Sequence, residues 1–336
     1  MKKDQPLPIP IRPRRLRRTS GIRRLFSEAE VAPSRLIAPL FVVDGLGKPE
    51  PIPSLPGHYR FPIPAILREA HRLARRGVGG IAIFPCISQN LRTPDAKEAL
   101  NPKGLIYRAI HAIKKEFPHL PVFADVALDP YTSHGHDGLL NRTGSDVDND
   151  TTVRLLMKQA VLLAGAGADF VAPSDMMDGR IGLIREALDQ AAFPEVGILS
   201  YAAKFASSLY APFRDAVGSS RSAGTSALDK RGYQADPGNR RAILRDALLD
   251  EREGADLLMV KPAGPYLDIV RDLRESTRLP LAAYQVSGEY SQIHAAAQKG
   301  WVDLRKARDE SLLSIRRAGA DLIFTYFAQD IERVRL

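Results

Sequence analysis

Eight short runs of apolar, β-favouring residues recur along this chain, and they limit its fold more than any other feature. They are Leu36–Val43, 80–84, 122–128, Phe170–Pro173, 198–201, 257–260, 281–286 and 322–326. Most are continuously apolar rather than alternating. A strand reads this way when both its faces are buried, as in a parallel sheet covered by helices. Between the runs lie segments with apolar residues at three- and four-residue spacing, at 65–76, 105–117, 151–164, 181–191, 240–253 and 266–276. That spacing predicts amphipathic helices. The last connection, 290–317, is long enough for two helices divided near Gly300.

The phrase Gly-Ala-Asp recurs before three of these runs, at 167–169, 254–256 and 319–321. A glycine there suits the left-handed residue that ends a helix, and the recurrence signals reuse of one supersecondary unit. Eight strand–helix units in series predict a closed (β/α)₈ barrel, a TIM barrel, over 35–336. An open doubly wound sheet is the alternative. It usually carries a glycine-rich phosphate turn after its first strand. Here that place holds Val43-Asp44-Gly45-Leu46-Gly47-Lys48, with no third glycine and no helical pattern behind it.

The net charge of +9 is local. Nine basic residues (Lys2, Lys3, Arg12, Arg14, Arg15, Arg17, Arg18, Arg23, Arg24) face one acid, Asp4, within 1–24, so the rest of the chain is nearly neutral. We expect 1–34 to form an extended arm that packs on a neighbouring subunit; phosphate neutralisation on a nucleic acid is the competing use. No aromatic residue interleaves the arginines before Phe26, which argues against a base-stacking platform. The arm has no apolar core of a secretory signal, and Pro6, Pro8, Pro10 and Pro13 break the amphipathic helix of a transit peptide. No apolar run reaches the ~18 residues that cross a bilayer. Cys86 is the only cysteine, which excludes an internal disulfide and a thiolate cluster. It reads as a buried structural thiol, and the whole pattern predicts a cytoplasmic protein with no membrane or nucleic-acid partner.

In such a barrel the active site forms at the C-terminal ends of the strands. Those ends carry Asp125 and Asp129, Ser174 and Asp175, Tyr201 and Lys204, Lys261, Tyr284 and Ser287, and Tyr326. Two lysines on adjacent strand ends converge on one mouth. Lys261 follows four apolar residues and must be partly buried. Burial disfavours the ammonium, a second nearby cation disfavours it further, and a free amine attacks ketones to form a Schiff base. Each lysine could instead pair with an acid at the rim. The longest loop, 205–237, carries Arg214, Arg221, Lys230 and Arg231; it reads either as a mobile lid that clamps a carboxylate or as a solvated basic loop. The stretch 125–138 holds Asp125, Asp129, His134, His136 and Asp137. Without cysteine it is a poor zinc site. Its carboxylates suit magnesium or no metal, and its histidines suit either ligation or backbone hydrogen bonds.

Four phrases in this sequence are long and specific: APSDMMDGR at 172–180, SYAAKFASSLYAPFRDA at 200–216, MVKPAGPYLDIVR at 259–271 and YQVSGEY at 284–290. With them the chain resembles the porphobilinogen synthase family, also called δ-aminolevulinic acid dehydratase, from Leu36 to Tyr326. The resemblance implies a hydro-lyase of heme biosynthesis that condenses two 5-aminolevulinate molecules, with loss of two waters, through Schiff bases on Lys204 and Lys261. It implies that Asp125, Asp129 and Asp137 handle protons or position an amino group. It implies that Arg214 and Lys230, with Gln234 nearby, hold one substrate carboxylate, that Ser287 and Tyr326 hold the other, and that Ser174, Tyr210 and Phe213 line the substrate site. Zinc-dependent members carry cysteines at the positions of Ala127, Asp129 and Asp137, so this chain resembles the aspartate-rich branch, with no catalytic zinc and no organic cofactor. That branch points to an allosteric magnesium ion at a subunit interface, where Asp246 stands in place of a glutamate. The family assembles as octamers, or hexamers in another state, through its N-terminal arms. Three other readings compete: a class I aldolase needing one reactive lysine, a nucleic-acid-binding protein, and a pseudoenzyme that keeps the fold.

Overall fold

The computed structural model describes residues 9–218 and 229–331. Along the chain the elements are α1 (Ser20–Leu25), β1 (Leu36–Val43), β2 (Glu50–Pro51), β3 (Tyr59–Phe61), α2 (Ile63–Arg75), β4 (Gly80–Cys86), α3 (Leu105–Glu116), β5 (Val122–Val126), α4 (Asn149–Gly165), β6 (Phe170–Pro173), α5 (Arg180–Gln190), β7 (Gly197–Lys204), α6 (Ala211–Ala216), α7 (Arg240–Arg252), β8 (Leu257–Lys261), α8 (Leu267–Ser276), β9 (Leu281–Gln285), α9 (Ser287–Gln298), α10 (Leu304–Ala318) and β10 (Leu322–Thr325). β1 and β4 to β10 pair in parallel, and β10 closes back on β1. The closed eight-stranded barrel is the expected TIM barrel, and the open sheet is excluded.

Local chemistry explains the regularity. Asp148, Asn239 and Asp303 cap α4, α7 and α10 by accepting backbone N–H groups of Thr151, Ala242 and Lys306. The three Gly-Ala-Asp repeats do more than end helices. Gly167, Gly254 and Gly319 take φ of 103°, 103° and 130°. The alanines are buried. Each aspartate accepts the N–H of the residue at the base of the preceding strand: Asp169 from Val122, Asp256 from Ile198 and Asp321 from Leu281, at 2.7 to 3.0 Å. Strands β5 and β6, β7 and β8, and β9 and β10 are thus latched in couples at the bottom of the barrel.

Inside, aromatic rings stack from base to mouth. Phe123 lies against Phe170 at 4.6 Å and Phe324 at 5.3 Å, and Tyr284 continues the series beside Phe324. Gly197 has no side chain because a Cβ there would stand 2.5 Å from the Phe170 ring. At the mouth, β3 pairs with the upper end of β1, at Phe41 and Val42, where β10 no longer reaches. β2 adds an antiparallel partner to β3. Neither is visible as an apolar run.

The expectations for the termini need adjusting. The N-terminal segment is not extended throughout: Pro13–Arg17 form a 3₁₀ turn and Ser20–Leu25 form α1, both on exposed chain. Residues 1–8, with Lys2, Lys3 and Asp4, lie outside the described residues, as do 219–228, with Arg221. Cys86 is part-buried rather than fully buried; its thiol donates to the carbonyl of Ala216 at 3.3 Å, and desolvation pushes its pKa up to about 12. Among the described residues no helix is long and apolar enough to cross a membrane.

Candidate active site

β7 and β8 place their last residues, Lys204 and Lys261, directly opposite one another in the parallel register. Paired residues of neighbouring strands share a face, so both lysines point to the same side. This needs a correction built into β7. Lower down, Ser200 faces outward, its hydroxyl meeting Asp250 of α7 and Arg180 of α5. Lys204 is four residues on and would face outward too in a regular strand. The register instead slips by one residue between Ser200 and Ala203. This β-bulge flips the alternation and turns Lys204 into the barrel. Lys204 therefore belongs to the strand, not to the loop after 198–201 as the apolar run alone suggests.

Both lysines are only 7% exposed. Their surroundings differ, and so do their protonation states. Lys261 Nζ is ringed by aromatic side chains, with the centroids of Tyr284, Tyr201, Tyr210 and Phe213 at 4.6 to 5.3 Å. Burial, aided by the charge of Lys204, brings its pKa down to about 7, against the pull of Asp125, Asp129 and Asp137. Lys204 is also buried, but Asp137 lies 3.2 Å from its Nζ, the carbonyl of Ser174 accepts a further bond from it, and Asp129 and Asp125 add their charge. Here the carboxylates outweigh burial and the pKa rises. The two readings open from sequence divide between the lysines: Lys261 is poised near neutrality, and Lys204 pairs with an acid and stays an ammonium.

The three aspartates divide in the same way. Asp137 is desolvated, but Lys204 at 3.2 Å and Lys230 at 2.6 Å hold its carboxyl below the usual range, and Gln234 Nε2 donates a third bond. Asp129 rises through burial and the charge of Asp137. Asp125 rises to about 7 through burial and the charge of Asp129. Its Oδ1 is buried without a hydrogen-bond partner among the described residues. A carboxyl that shares its pKa range with a nearby lysine is equipped to exchange protons with it.

A single pocket gathers Asp129, Asp137, Lys204, Tyr210, Phe213, Arg214, Lys230, Gln234, Lys261, Ser287 and Tyr326. Eleven of the residues singled out from sequence therefore meet in one place. Asp125 is outside this lining but its charge acts on both lysines, and Ser174, also outside it, offers its carbonyl to Lys204 and its side chain to Asp125. Ser287 Oγ also accepts from the backbone N–H of Phe213 and donates to the carbonyl of Leu209, which ties the entrance of α6 to the barrel. Tyr326 hydroxyl stands 3.4 Å from that of Tyr284. Tyr284, read from sequence as a strand end but given no role, also lines the pocket and lies nearest to Lys261 of the four rings.

The segment 205–237 is less loop-like than its composition suggests. Phe205 and Ala235 continue the strand pairing by donating to the carbonyls of Lys261 and Lys204. Between them α6 carries Phe213 and Arg214 over the pocket, and the Lys230–Gly232 turn carries Lys230 to Asp137. Arg231 stays outside, paired with Asp229. His136 Nδ1 is 3.2 Å from the Tyr233 hydroxyl, and His134 Nδ1 accepts from the N–H of His136. These are hydrogen-bonding roles, and no group of three His, Cys, Asp or Glu side chains among the described residues is arranged for a metal. Asp246 lies apart from the pocket, half-buried on α7 beside Arg245.

Comparison with known proteins bears on this geometry. A sequence model of the delta-aminolevulinic acid dehydratase family matches residues 10–334. Proteins of that name from Bradyrhizobium diazoefficiens and Chlamydia pneumoniae are each 50% identical, covering 96% and 94% of this chain and 90% and 94% of their own. A crystal structure of the Toxoplasma gondii delta-aminolevulinic acid dehydratase (porphobilinogen synthase) in complex with its reaction product porphobilinogen superposes with a TM-score of 0.93. It is 48% identical, over 96% of this chain and 91% of that one.

Proposed function

This chain belongs to the delta-aminolevulinic acid dehydratase family, and from that premise we propose that it is a porphobilinogen synthase, a hydro-lyase of porphyrin biosynthesis that joins two 5-aminolevulinate molecules into porphobilinogen and releases two waters. The observation that carries the reading is the pair of in-register lysines at one barrel mouth, one near neutrality and one charged.

The charges order the chemistry. Lys261 is the amine available at neutral pH, so it attacks the ketone of the first substrate. Asp125, with its raised pKa, donates a proton to the departing hydroxyl as the Schiff base forms. Lys204 must first lose its proton, and Asp129, also raised, is the nearby base to take it. The second Schiff base then forms on Lys204. An iminium withdraws electrons from the adjacent carbon, which loses a proton to give an enamine that attacks the other substrate. The new carbon–carbon bond turns the second iminium into an amine, which leaves together with a proton from an adjacent carbon and frees one lysine. The amino group of that substrate then adds to the remaining iminium, expulsion of the other lysine closes the ring, and loss of a ring proton completes the pyrrole. Holding both substrates on neighbouring strand ends converts an encounter in solution into a local reaction, an effect that contributes on the order of 7–11 kcal/mol. Arg214, Lys230 and Gln234 supply donors for one substrate carboxylate; Ser287 and Tyr326 supply hydroxyls for the other. Tyr210 and Phe213 keep water from Lys261, and Ser174 orients Lys204.

The donor set at Ala127, Asp129 and Asp137 does not fit catalytic zinc. It offers no thiolate, and Asp137 is already shared by two ammonium groups. We therefore place the chain in the aspartate-rich branch without zinc or organic cofactor. Magnesium needs only one or two carboxylates plus water. Asp246, half-exposed on α7, would hold such an ion where a second subunit packs, as an allosteric rather than catalytic group. The basic arm supports assembly into an octamer or hexamer, with 1–34 lying on a neighbour. Its single cysteine fits a reducing, cytoplasmic setting.

The deciding experiment is borohydride trapping with 5-aminolevulinate followed by peptide mapping, run beside an assay for pyrrole formation. Adducts at Lys261 and Lys204 are expected; adducts at neither would end the proposal. Pyrrole formation should persist after zinc chelation and rise with added magnesium. Stoichiometric zinc lost together with activity would overturn the metal assignment.

A further inference from the structure

α6 has six residues, yet it carries Phe213 and Arg214 into the pocket lining. A helix this short does not persist alone, and the carbonyls of its last turn find no partner inside it. Partners come from a part of the chain more than a hundred residues earlier. Arg60 of β3 donates Nη2 to the carbonyl of Asp215 at 2.8 Å and Nε to that of Ala216 at 2.7 Å. Arg92, beyond β4, donates Nη2 to Val217 at 2.9 Å and Nη1 to Gly218 at 3.0 Å. Four successive carbonyls at the end of α6 are thus received by two guanidinium groups. Ser54 adds a hydroxyl bond to the Asp215 carboxylate.

Arg92 is the more telling of the two. It is only 9% exposed, and among the described residues no carboxylate lies within ion-pair distance of it. Its remaining donors go to the carbonyl of Ile87. The charge of Asp129 reaches Arg92 only through space and does not offset its burial, so its hydrogen bonds to carbonyls matter the more, and its planar fork suits paired carbonyls in a way that a lysine does not. At its other end α6 is held by the Phe213 N–H on Ser287 and by the Tyr210 hydroxyl on the carbonyls of Phe205 and Lys261.

We infer that Arg60 and Arg92 are positioning residues, which seat α6 so that Phe213 and Arg214 cover the mouth over Lys261 and complete the substrate site. The kinetic consequence rests on the porphobilinogen synthase reading; the seating of α6 does not. If the seated form falls to a tenth of the population, the apparent substrate affinity falls about ten-fold, while the rate at saturation is little changed.

The test is Arg60→Met and Arg92→Met in the full chain, with Arg60→Lys and Arg92→Lys beside them. Two quantities are read: hydrogen exchange of the amides of 213–217, and KM and kcat for 5-aminolevulinate. The methionine variants should exchange these amides about ten-fold faster with β7 and β8 unchanged, and raise KM about ten-fold with kcat within about three-fold. The lysine variants should fall between, and they carry the test if a methionine variant does not fold. Unchanged exchange overturns the inference. So does faster exchange with an unchanged KM, or a loss confined to kcat. Faster exchange in variants of a wild type that forms no pyrrole would sink the enzymatic reading and leave the seating of α6 standing.

Discussion

Replacing Lys204 with methionine should make Lys261 a worse nucleophile at neutral pH without touching it. Lys204 and Lys261 end adjacent strands in register, and such strands run ~4.8 Å apart. Taking about 6 Å between their side-chain nitrogens, of the order of that strand spacing, sets the scale. A unit charge at about 6 Å in an effective dielectric of ~20 is worth about 3 kcal/mol. Allowing for relaxation, that amounts to roughly 1–2 pKa units. Lys204 is the second cause, after burial, of the low pKa of Lys261. Removing the cation relieves the repulsion, so the ammonium of Lys261 becomes easier to keep and its midpoint climbs from about 7 to roughly 8–9. At pH 7 the free-amine fraction drops from about one half to about 1–10%, a ~5- to 50-fold loss of trapping rate that is recovered in alkaline buffer. Methionine keeps the stem volume, so packing is preserved. The assay is hydride trapping of 5-aminolevulinate on the Lys261 peptide, quantified by mass across about pH 5–10. It needs no turnover, which the variant lacks. A midpoint that stays near 7 would refute the electrostatic account and leave burial alone to set the pKa.

Three further outcomes follow from the geometry. Asp137→Asn strands the Lys204 and Lys230 ammonium groups and should lower stability by about 3 kcal/mol near neutral pH in denaturant unfolding. Because the folded pKa of Asp137 is lowered, its contribution is complete above the unfolded value of ~3.9 and fades as pH falls toward the folded one. Wild type and variant should therefore converge in acid, and a constant gap would contradict this. Deleting Ala202, one of the two residues between Ser200 and Ala203 where the register slips, should remove the β7 bulge, so hydride trapping should vanish from Lys204 and persist at Lys261; trapping at both would disprove the role of the bulge. Gly288→Ala brings a Cβ to 2.6 Å from the Leu209 backbone, which should cost about 1–3 kcal/mol. It should also depress pyrrole formation more than ten-fold by displacing α6, and normal activity would count against the importance of that contact.

The barrel was readable because strands buried on both faces leave continuous apolar runs, and all eight expected runs became strands. β2 and β3 escaped notice because Glu50–Pro51 and Tyr59–Phe61 are too short to show a period, and Pro51, Pro53 and Pro56 disguise the segment as plain loop. α6 was hidden for a different reason: its stability is supplied from Arg60 and Arg92, not from its own six residues. The inward turn of Lys204 depends on one extra residue, which no hydrophobic pattern registers. Its charge depends on Asp137, 67 positions earlier, arriving beside it. The chemistry-bearing residues were legible by type and place, but the asymmetry between the two lysines exists only once the chain has closed on itself.

The Asp256 latch has a bearing on precision. It bonds to the base of β7 while standing at the foot of β8, and these are the two strands that end in Lys204 and Lys261. The reacting nitrogens therefore ride on one stapled frame. Breathing elsewhere in the barrel would carry them along together and leave their separation intact, whereas substrates gripped by α6 would be free to come and go. A catalyst that must hold two covalent partners at a fixed span gains tolerance from this: drift in six of the eight staves need not reach the bond being made.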